Sequence, residues 1–174
     1  MNSQDVILGL LLNRPRSGYE IKSAFEAPLA YFFDASFGTI YPTLAKLEKL
    51  GYIEKENVVQ DNRPNKNVYS ITDSGRERFM AYMNSPLDVE TYRSDFMVRL
   101  FFGEHQSREK LIEWIRRGIE QAKREVSKLR EERKRWDAGM SPSQRICADL
   151  GVELNESKIR VLEEGLRQFE EQLQ

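Results

Sequence analysis

Apolar residues over the first fifty positions recur at helical spacing in three blocks, each followed by a residue that breaks a helix. Val6, Ile7, Leu10 and Leu11 share one face, and Pro15 closes the first block. Ser17-Gly18-Tyr19-Glu20 has the S-x-x-E form of a capping box, which predicts the start of a second helix. Its apolar side is Ile21, Ala24 and Phe25, and Pro28 ends it. Residues 29–35 form an aromatic connection, with Tyr31, Phe32 and Phe33 read as core packing. A third helix is predicted from about Thr39 to Leu50, with Ile40, Leu44 and Leu47 inward and Gly51 as the stop. The period then falls to two: Tyr52 to Val59 and Asn67 to Ile71 read as strands, joined by the polar loop Gln60–Lys66.

The second half returns to helical spacing. Thr72 or Asp73 can cap a fourth helix carrying Phe79, Met80 and Met83, which ends at Ser85-Pro86. A short helix from Thr91 to Phe102 contains Phe96, Met97, Leu100 and Phe101. Ser107 opens a long one, where Ile112, Ile115, Ile119, Ala122, Val126, Leu129, Arg133 and Trp136 alternate steps of three and four, a heptad seam with one polar interruption. Ser141-Pro142 restarts a helix. It carries Ile159, Leu162, Leu166, Phe169 and Leu173 at the same spacing, with Leu150, Leu154 and Val161 on a second side. Gly151 could split this segment, but the second apolar side favours one continuous helix. A helix with two apolar sides needs two partners, and a second subunit is the natural supplier of one of them. The seam from Ile159 to Leu173 is the candidate dimerisation surface; the alternative is a monomeric helical lid.

Composition narrows the function classes. The longest apolar run, Val6–Leu12, is too short for a membrane span and lacks the flanks of a secretion signal. Cys147 is the only cysteine and His105 the only histidine among 174 residues, which leaves no disulfide and no cysteine- or histidine-rich metal site. Phosphate-binding and nucleophile motifs are absent as well, so neither an enzyme nor a cofactor is expected. The net charge of -1 argues against a broadly basic nucleic-acid surface. Residues 1–85 balance 10 basic against 10 acidic groups, so any DNA contact rests on a local cluster.

Such a cluster exists. Pro42 lacks an amide hydrogen and is harmless only in a first helical turn, which places Thr39, Tyr41, Pro42 and Thr43 at the start of the third helix. Hydroxyls, amide groups and the positive end of the helix dipole there suit a phosphate; an ordinary capped helix with Tyr41 packed on a neighbour is the plainer alternative. Three helices followed by two strands is the winged helix-turn-helix plan, in which the third helix enters the major groove. Lys46 and Lys49 lie on that helix, Lys55 on the first strand, and Arg63 and Lys66 in the loop. The expected fold is therefore mainly α: a winged helix-turn-helix over residues 1–85, then a helical dimerisation domain over 86–174.

Four segments, in order, carry a family resemblance: Leu8-Gly-Leu-Leu11, Ser17-Gly-Tyr-Glu-Ile21, Gly38-Thr-Ile-Tyr-Pro-Thr-Leu-Ala-Lys-Leu-Glu-Lys-Leu-Gly51 and Val68-Tyr-Ser-Ile-Thr-Asp-Ser-Gly75. Together they resemble PadR-type transcriptional regulators; the helical second half fits the family's dimerisation region more loosely. The resemblance implies a cytoplasmic homodimeric repressor that binds a palindromic double-stranded operator and is released by a small molecule. It places Thr39, Tyr41, Pro42, Thr43 and Lys46 on the recognition helix, and Arg63 and Lys66 on the wing. Trp114 and Trp136 could stack an aromatic effector, although core packing is the commoner use of tryptophan. The competing function is a winged-helix protein-interaction module without specific DNA binding, which a salt-dependent, palindrome-selective gel shift would separate.

Overall fold

The computed structural model describes residues 2–26, 29, 33, 37–60, 63–136 and 139–171, with the backbone alone at positions 37, 60, 63, 64 and 136. These form two compact units, Met1–Glu90 and Thr91–Gln174. In the first, α1 (Ser3–Leu11), β1 (Arg16–Ser17), α2 (Gly18–Glu26), α3 (Ile40–Lys49), β2 (Ile53–Gln60), β3 (Arg63–Ile71) and α4 (Asp73–Met83) follow in order. The second holds α5 (Asp95–Phe101), α6 (Arg108–Trp136) and α7 (Pro142–Glu171).

Ile7, Leu8, Leu11, Ile21, Phe25, Ile40, Leu44, Leu47, Ile53 and Tyr69 form one buried core in the first unit. Asn2 caps α1 with a reciprocal box: its side chain accepts from the amides of Gln4 and Asp5, and the Asp5 carboxylate accepts from the Asn2 amide. Asp5 is itself buried, and Arg78 of α4 meets its carboxylate at 3.0 Å, so one ion pair ties the first helix to the fourth. Gly51, with φ +71°, adopts the left-handed conformation that ends α3 and turns the chain into β2. The predicted interior of α3 is confirmed, with Ile40, Leu44 and Leu47 all buried. Pro28, Tyr31 and Phe32 lie outside the described residues.

The sheet differs from the expected two-stranded hairpin in two respects. A third strand, β1, pairs antiparallel with β3 through Arg16↔Tyr69 and Ser17↔Val68, giving the order β1-β3-β2. The expected loop Gln60–Lys66 is instead mostly strand: β2 runs to Gln60, and β3 begins at Arg63. The register holds to Val58↔Lys66, shifts, and resumes at Gln60↔Arg63. Pro64 falls within that irregular stretch, where its missing amide hydrogen disrupts no regular ladder bond.

In the second unit Ser94 and Ser107 each cap a helix through their side-chain oxygens, so α5 starts at Asp95 rather than at Thr91. Within α6 the buried seam is Leu111, Ile115, Ile119, Ala122, Val126 and Leu129, and Ile112 is only partly covered. Helix α7 is continuous across Gly151, whose missing side chain lets Leu129 approach to 3.4 Å from where a Cβ would stand. Ion pairs set the alignment of the two long helices. Arg116–Glu170, Lys123–Glu163 and Arg130–Glu156 step by seven residues forward along α6 and seven backward along α7, so the helices are antiparallel. Arg133, the polar interruption of the seam, meets Asp149 at 2.7 Å.

The expected dimerisation seam requires a correction. Leu162 is buried with Ile115 and Ile119 of the same chain, and Ile159, Leu166 and Phe169 pack on that cluster with Phe96 and Leu100 of α5. These four side chains fill the chain's own helical core. Spacing identified an interface but not which chain supplies the other half. Leu173 lies outside the described residues. The opposite side of α7 is the open one, with Ile146, Leu150, Leu154 and Val161 all more than half exposed.

The close approach at Gly75 gives a test of the winged unit. A Cβ at this position would stand 2.1 Å from the Tyr52 carbonyl oxygen and 2.8 Å from Ile71 Cγ1, far inside contact distance. Gly75→Ala must therefore move the start of α4 away from the β2 entry. A loss of about 1–3 kcal/mol or more is expected from such overpacking, read as a lower midpoint in urea denaturation.

Candidate nucleic-acid interface

The inward Ile40, Leu44 and Leu47 leave Tyr41, Pro42, Ala45, Lys46 and Lys49 on the solvent side of α3. No carboxylate among the described residues pairs with Lys46, Lys49 or Lys66, so these cations are available to an external anion. Lys55 is different. Its ammonium sits 3.4 Å from Glu48, where it links β2 to α3 and adds little to the free positive charge.

Thr39 is the N-cap of α3 and Thr43 follows in its N-terminal turn, as expected, but the turn is not a simple capped one. A 3-10 turn, Phe37–Thr39, runs straight into α3, so Thr39 has helical dihedrals (φ -91°, ψ -11°) and its side chain makes no capping bond. A capping hydroxyl needs extended backbone to reach the amides of the first turn. The Thr43 hydroxyl donates to the Thr39 carbonyl at 2.7 Å, which leaves that oxygen only as an acceptor. Of the residues at this end, Tyr41 is the one with a large exposed polar side chain, 56% accessible.

Tyr41 faces a cleft of about 510 Å³ that also takes in Lys66 and Asn67 from β3, Ser17 from β1, and Gly18, Tyr19 and Glu20 from the start of α2. The structure thus brings together one residue of the third helix and one of the wing. The Arg63 side chain lies outside the described residues. Gly18 is the positioning residue that spacing missed: a Cβ there would stand 3.0 Å from Tyr41 Cε1, so the bare backbone of α2 lets the phenol ring lie against it. Its only signal in the sequence was its place inside the Ser17–Glu20 box. Tyr69 lines the same cleft, and burial pushes its phenol up, keeping it neutral.

Electrostatics along the cleft are set by the capping box. Glu20 accepts from the Ser17 amide and hydroxyl, each at 2.8 Å, and from Arg14 at 2.8 Å. The Ser17 amide foremost, then Arg14, holds the Glu20 carboxyl down to about 2. This acid is therefore ionised at neutral pH with its charge spent on local donors, which lessens its repulsion of an anion in the cleft.

Comparison with known proteins decides the family. Residues 7–81 match the model of the transcriptional regulator PadR-like family, and residues 92–174 match that of the virulence activator alpha C-terminal region. A PadR-like transcriptional regulator of Bacillus cereus shares 38% identity, with 98% of this chain and 99% of that chain covered and a TM-score of 0.92. The chain belongs to the PadR-like family of transcriptional regulators. The winged-helix fold and the non-enzymatic class expected above follow from that membership. The negative transcriptional regulator PadR of Bacillus subtilis is 29% identical over 83% of this chain and 80% of its own length. Its structure with operator DNA covers 95% of this chain and 98% of that chain at 26% identity and TM-score 0.83, and it has also been solved with p-coumaric acid at 26% identity and TM-score 0.77, covering 96% and 98%. Among the described residues no helix is long and apolar enough to cross a membrane, and no cluster of three metal-ligating side chains occurs.

The depressed Glu20 carboxyl predicts an acid-dependent stability of the PadR-like winged unit. Because its pKa falls on folding, its contribution is complete above the ordinary carboxylate range and is lost as pH falls toward about 2. Solvent exposure of the pair moderates the size of the effect. Glu20→Gln keeps an acceptor for Ser17 but removes the titration, so its stability should fall less steeply between roughly pH 5 and 2, as measured by urea unfolding at each pH.

Proposed function

We propose that this chain is a repressor that binds a palindromic operator as a homodimer and releases it on meeting a small molecule. Residues 1–85 read DNA, and residues 86–174 hold the two copies together. The observation that carries the reading is the shared cleft of Tyr41 and Lys66, together with Lys46 and Lys49 on the exposed side of α3, which no carboxylate among the described residues pairs. In a chain of net charge -1, a phosphate backbone finds here lysines that no carboxylate among the described residues pairs, while Glu20, the acid lining the cleft, is held by Ser17 and Arg14. Tyr41 donates to a phosphate oxygen, Lys46 reaches into the major groove from the outer side of α3, and Lys66 meets backbone from the wing. Thr39, Pro42 and Thr43 shape the helix start against the sugar-phosphate edge, and Arg63 extends the wing contact. The repressor role is supported by the negative regulation named for the Bacillus subtilis relative, and the effector by that relative's p-coumaric acid complex.

Substitution at the cleft separates positioning from reading. Tyr41→Ala should weaken operator binding by about 1–2 kcal/mol, as for loss of a hydrogen bond to a charged group. Lys66→Ala should weaken specific and non-specific DNA alike and reduce the salt slope by about one. Titrations of a palindromic and a scrambled duplex at several salt concentrations measure both. Unchanged affinity in a folded Tyr41→Ala protein would remove α3 from the interface, and palindrome-blind binding would favour the protein-interaction module.

The exposed side of α7 is the surface proposed for the second copy. Leu150 and Leu154, 56% and 68% exposed, lie one turn apart on it. Leu150→Glu with Leu154→Glu should give a folded monomer, because charges in a mating apolar face lose water without gaining partners. Operator affinity should fall by orders of magnitude as the second half-site contact ceases to be intramolecular. By contrast, Leu162→Glu should unfold the α6–α7 pair itself. Light scattering and circular dichroism on the same samples distinguish these outcomes.

A further inference from the structure

The wing carries a side-chain pair that neither the core nor the lysines account for. Asn57 of β2 stands directly opposite Asn67 of β3, and both are exposed. Asparagine is depleted in strands, because its amide competes with the backbone for hydrogen bonds. Here two of them form one cross-strand pair, the last on their face before the register shifts. Their amides are joined: the Asn57 side-chain nitrogen donates to the Asn67 side-chain oxygen at 3.2 Å. That bond occupies the Asn67 oxygen and leaves its amino group as what the residue offers outward.

Side chains alternate along a strand, so the pair shares a face with Lys55 and Tyr69, the pair two residues nearer the core. Tyr69 is buried and Lys55 meets Glu48 of α3, so this face is turned toward the third helix. Asn67 accordingly lines the cleft with Tyr41. The asparagines stand about 7 Å farther out along the ribbon, at about 3.4 Å per residue. With α3 in the major groove and Tyr41 and Lys66 on the phosphate strand at its edge, the minor groove lies across that strand. The projecting part of the ribbon is what reaches it.

The chemistry of that groove fits a fixed donor. A·T and T·A present only acceptors there, adenine N3 and thymine O2, whereas G·C adds the guanine 2-amino donor. An amino group held in one orientation gains a bond at the first and meets another donor at the second. A neutral amide gains less than a lysine from a phosphate, so backbone neutralisation does not explain the pair.

We propose that Asn67, oriented by Asn57, reads A·T pairs in the minor groove beside the third-helix contact. This rests on the DNA-binding reading above and adds a determinant of sequence to it. Asn67 is the contacting residue and Asn57 the positioning one.

The test uses the full chain and an operator selected from a random pool of duplexes. Each A·T pair of that operator is replaced in turn by I·C and by G·C, and affinities are read by fluorescence anisotropy. Inosine lacks the 2-amino group, so I·C resembles A·T from the minor groove and G·C from the major groove. At one or more pairs in each half-site I·C should bind like A·T, and G·C about fivefold more weakly, the loss of one hydrogen bond. Asn67→Ala and Asn67→Asp should bring I·C and G·C to equal affinity at those pairs. Asn57→Ala should narrow the difference, since nothing then holds the Asn67 oxygen, and urea midpoints confirm that each variant is folded. Sequence-dependent stiffness of the duplex would give the same difference in every variant, so a G·C penalty that survives Asn67→Ala overturns the proposal. A parent chain that treats I·C and G·C alike at every pair overturns it too, as does an Asn67→Ala variant that weakens all duplexes equally, which would assign the residue to the backbone. A selection that yields no bound duplex would overturn the DNA-binding reading and this proposal with it, whereas the other outcomes leave that reading standing.

Discussion

The burial of Ile40, Leu44 and Leu47 fixes the rotation of α3 about its axis, and everything at the surface proposed to face DNA depends on that rotation. Three side chains in a row of steps four and three can be covered at once in only one orientation. That orientation sends Tyr41, Lys46 and Lys49 outward. The positive φ at Gly51 then returns the chain immediately into β2, so the wing is built from the residues that follow the helix without slack. Lys55 and Glu48 link the two across the turn, and Tyr52 and Gly75 press the start of α4 against it. A helix held by fewer buried contacts could rotate by a fraction of a turn and exchange its lysines for leucines.

The winged unit was legible because its signals are local. A capping box, a proline that tolerates only a first turn, and a glycine stop each act within a few residues, and all three were read correctly from Ser17, Pro42 and Gly51. What escaped was pairing at a distance. Two residues, Arg16 and Ser17, carry no alternation of their own and become a strand only because β3 lies beside them. The length of the wing was missed for the opposite reason: Pro64 signals a turn, and only the register shift beside it shows how a strand accommodates it. At the site, spacing found Tyr41 and Lys66 but not that they share a cleft. It also counted Lys55 in the local positive charge and placed Thr43 in a turn whose hydroxyls suit a phosphate, because nothing local reveals Glu48 beside the one or the Thr39 carbonyl that accepts from the other.

The helical unit shows the same limit more sharply. Heptad spacing established that Ile159, Leu162, Leu166 and Phe169 pack against something. It is silent on whether the partner is the preceding helix or another molecule, because both present the same apolar face. The ion pairs that step by seven residues, from Arg116–Glu170 to Arg130–Glu156, resolve it in favour of α6. Each such surface pair contributes at most about 1 kcal/mol. Their importance lies in register, since a one-turn slip would unpair all of them and lift Leu162 out of its pocket together.

Once that side of α7 is assigned to α6, the remaining apolar side acquires a different meaning. Ile146, Leu150, Leu154 and Val161 recur over four turns of one helix, and scattered exposure of single apolar residues does not produce such a stripe. The charge distribution supplies an independent reason for a second copy on the proposed reading. A winged unit with three lysines unpaired among the described residues neutralises few phosphates, and the counterion release that drives binding scales with that number. One copy would hold DNA weakly at physiological salt. Pairing two copies doubles the phosphate contacts and makes the second set intramolecular, with no increase in the charge of either chain. On the proposed reading a nearly neutral chain in this way binds one operator while keeping low affinity for the rest of the duplex, and the apolar stripe on α7 and the modest charge of α3 then serve the same selectivity.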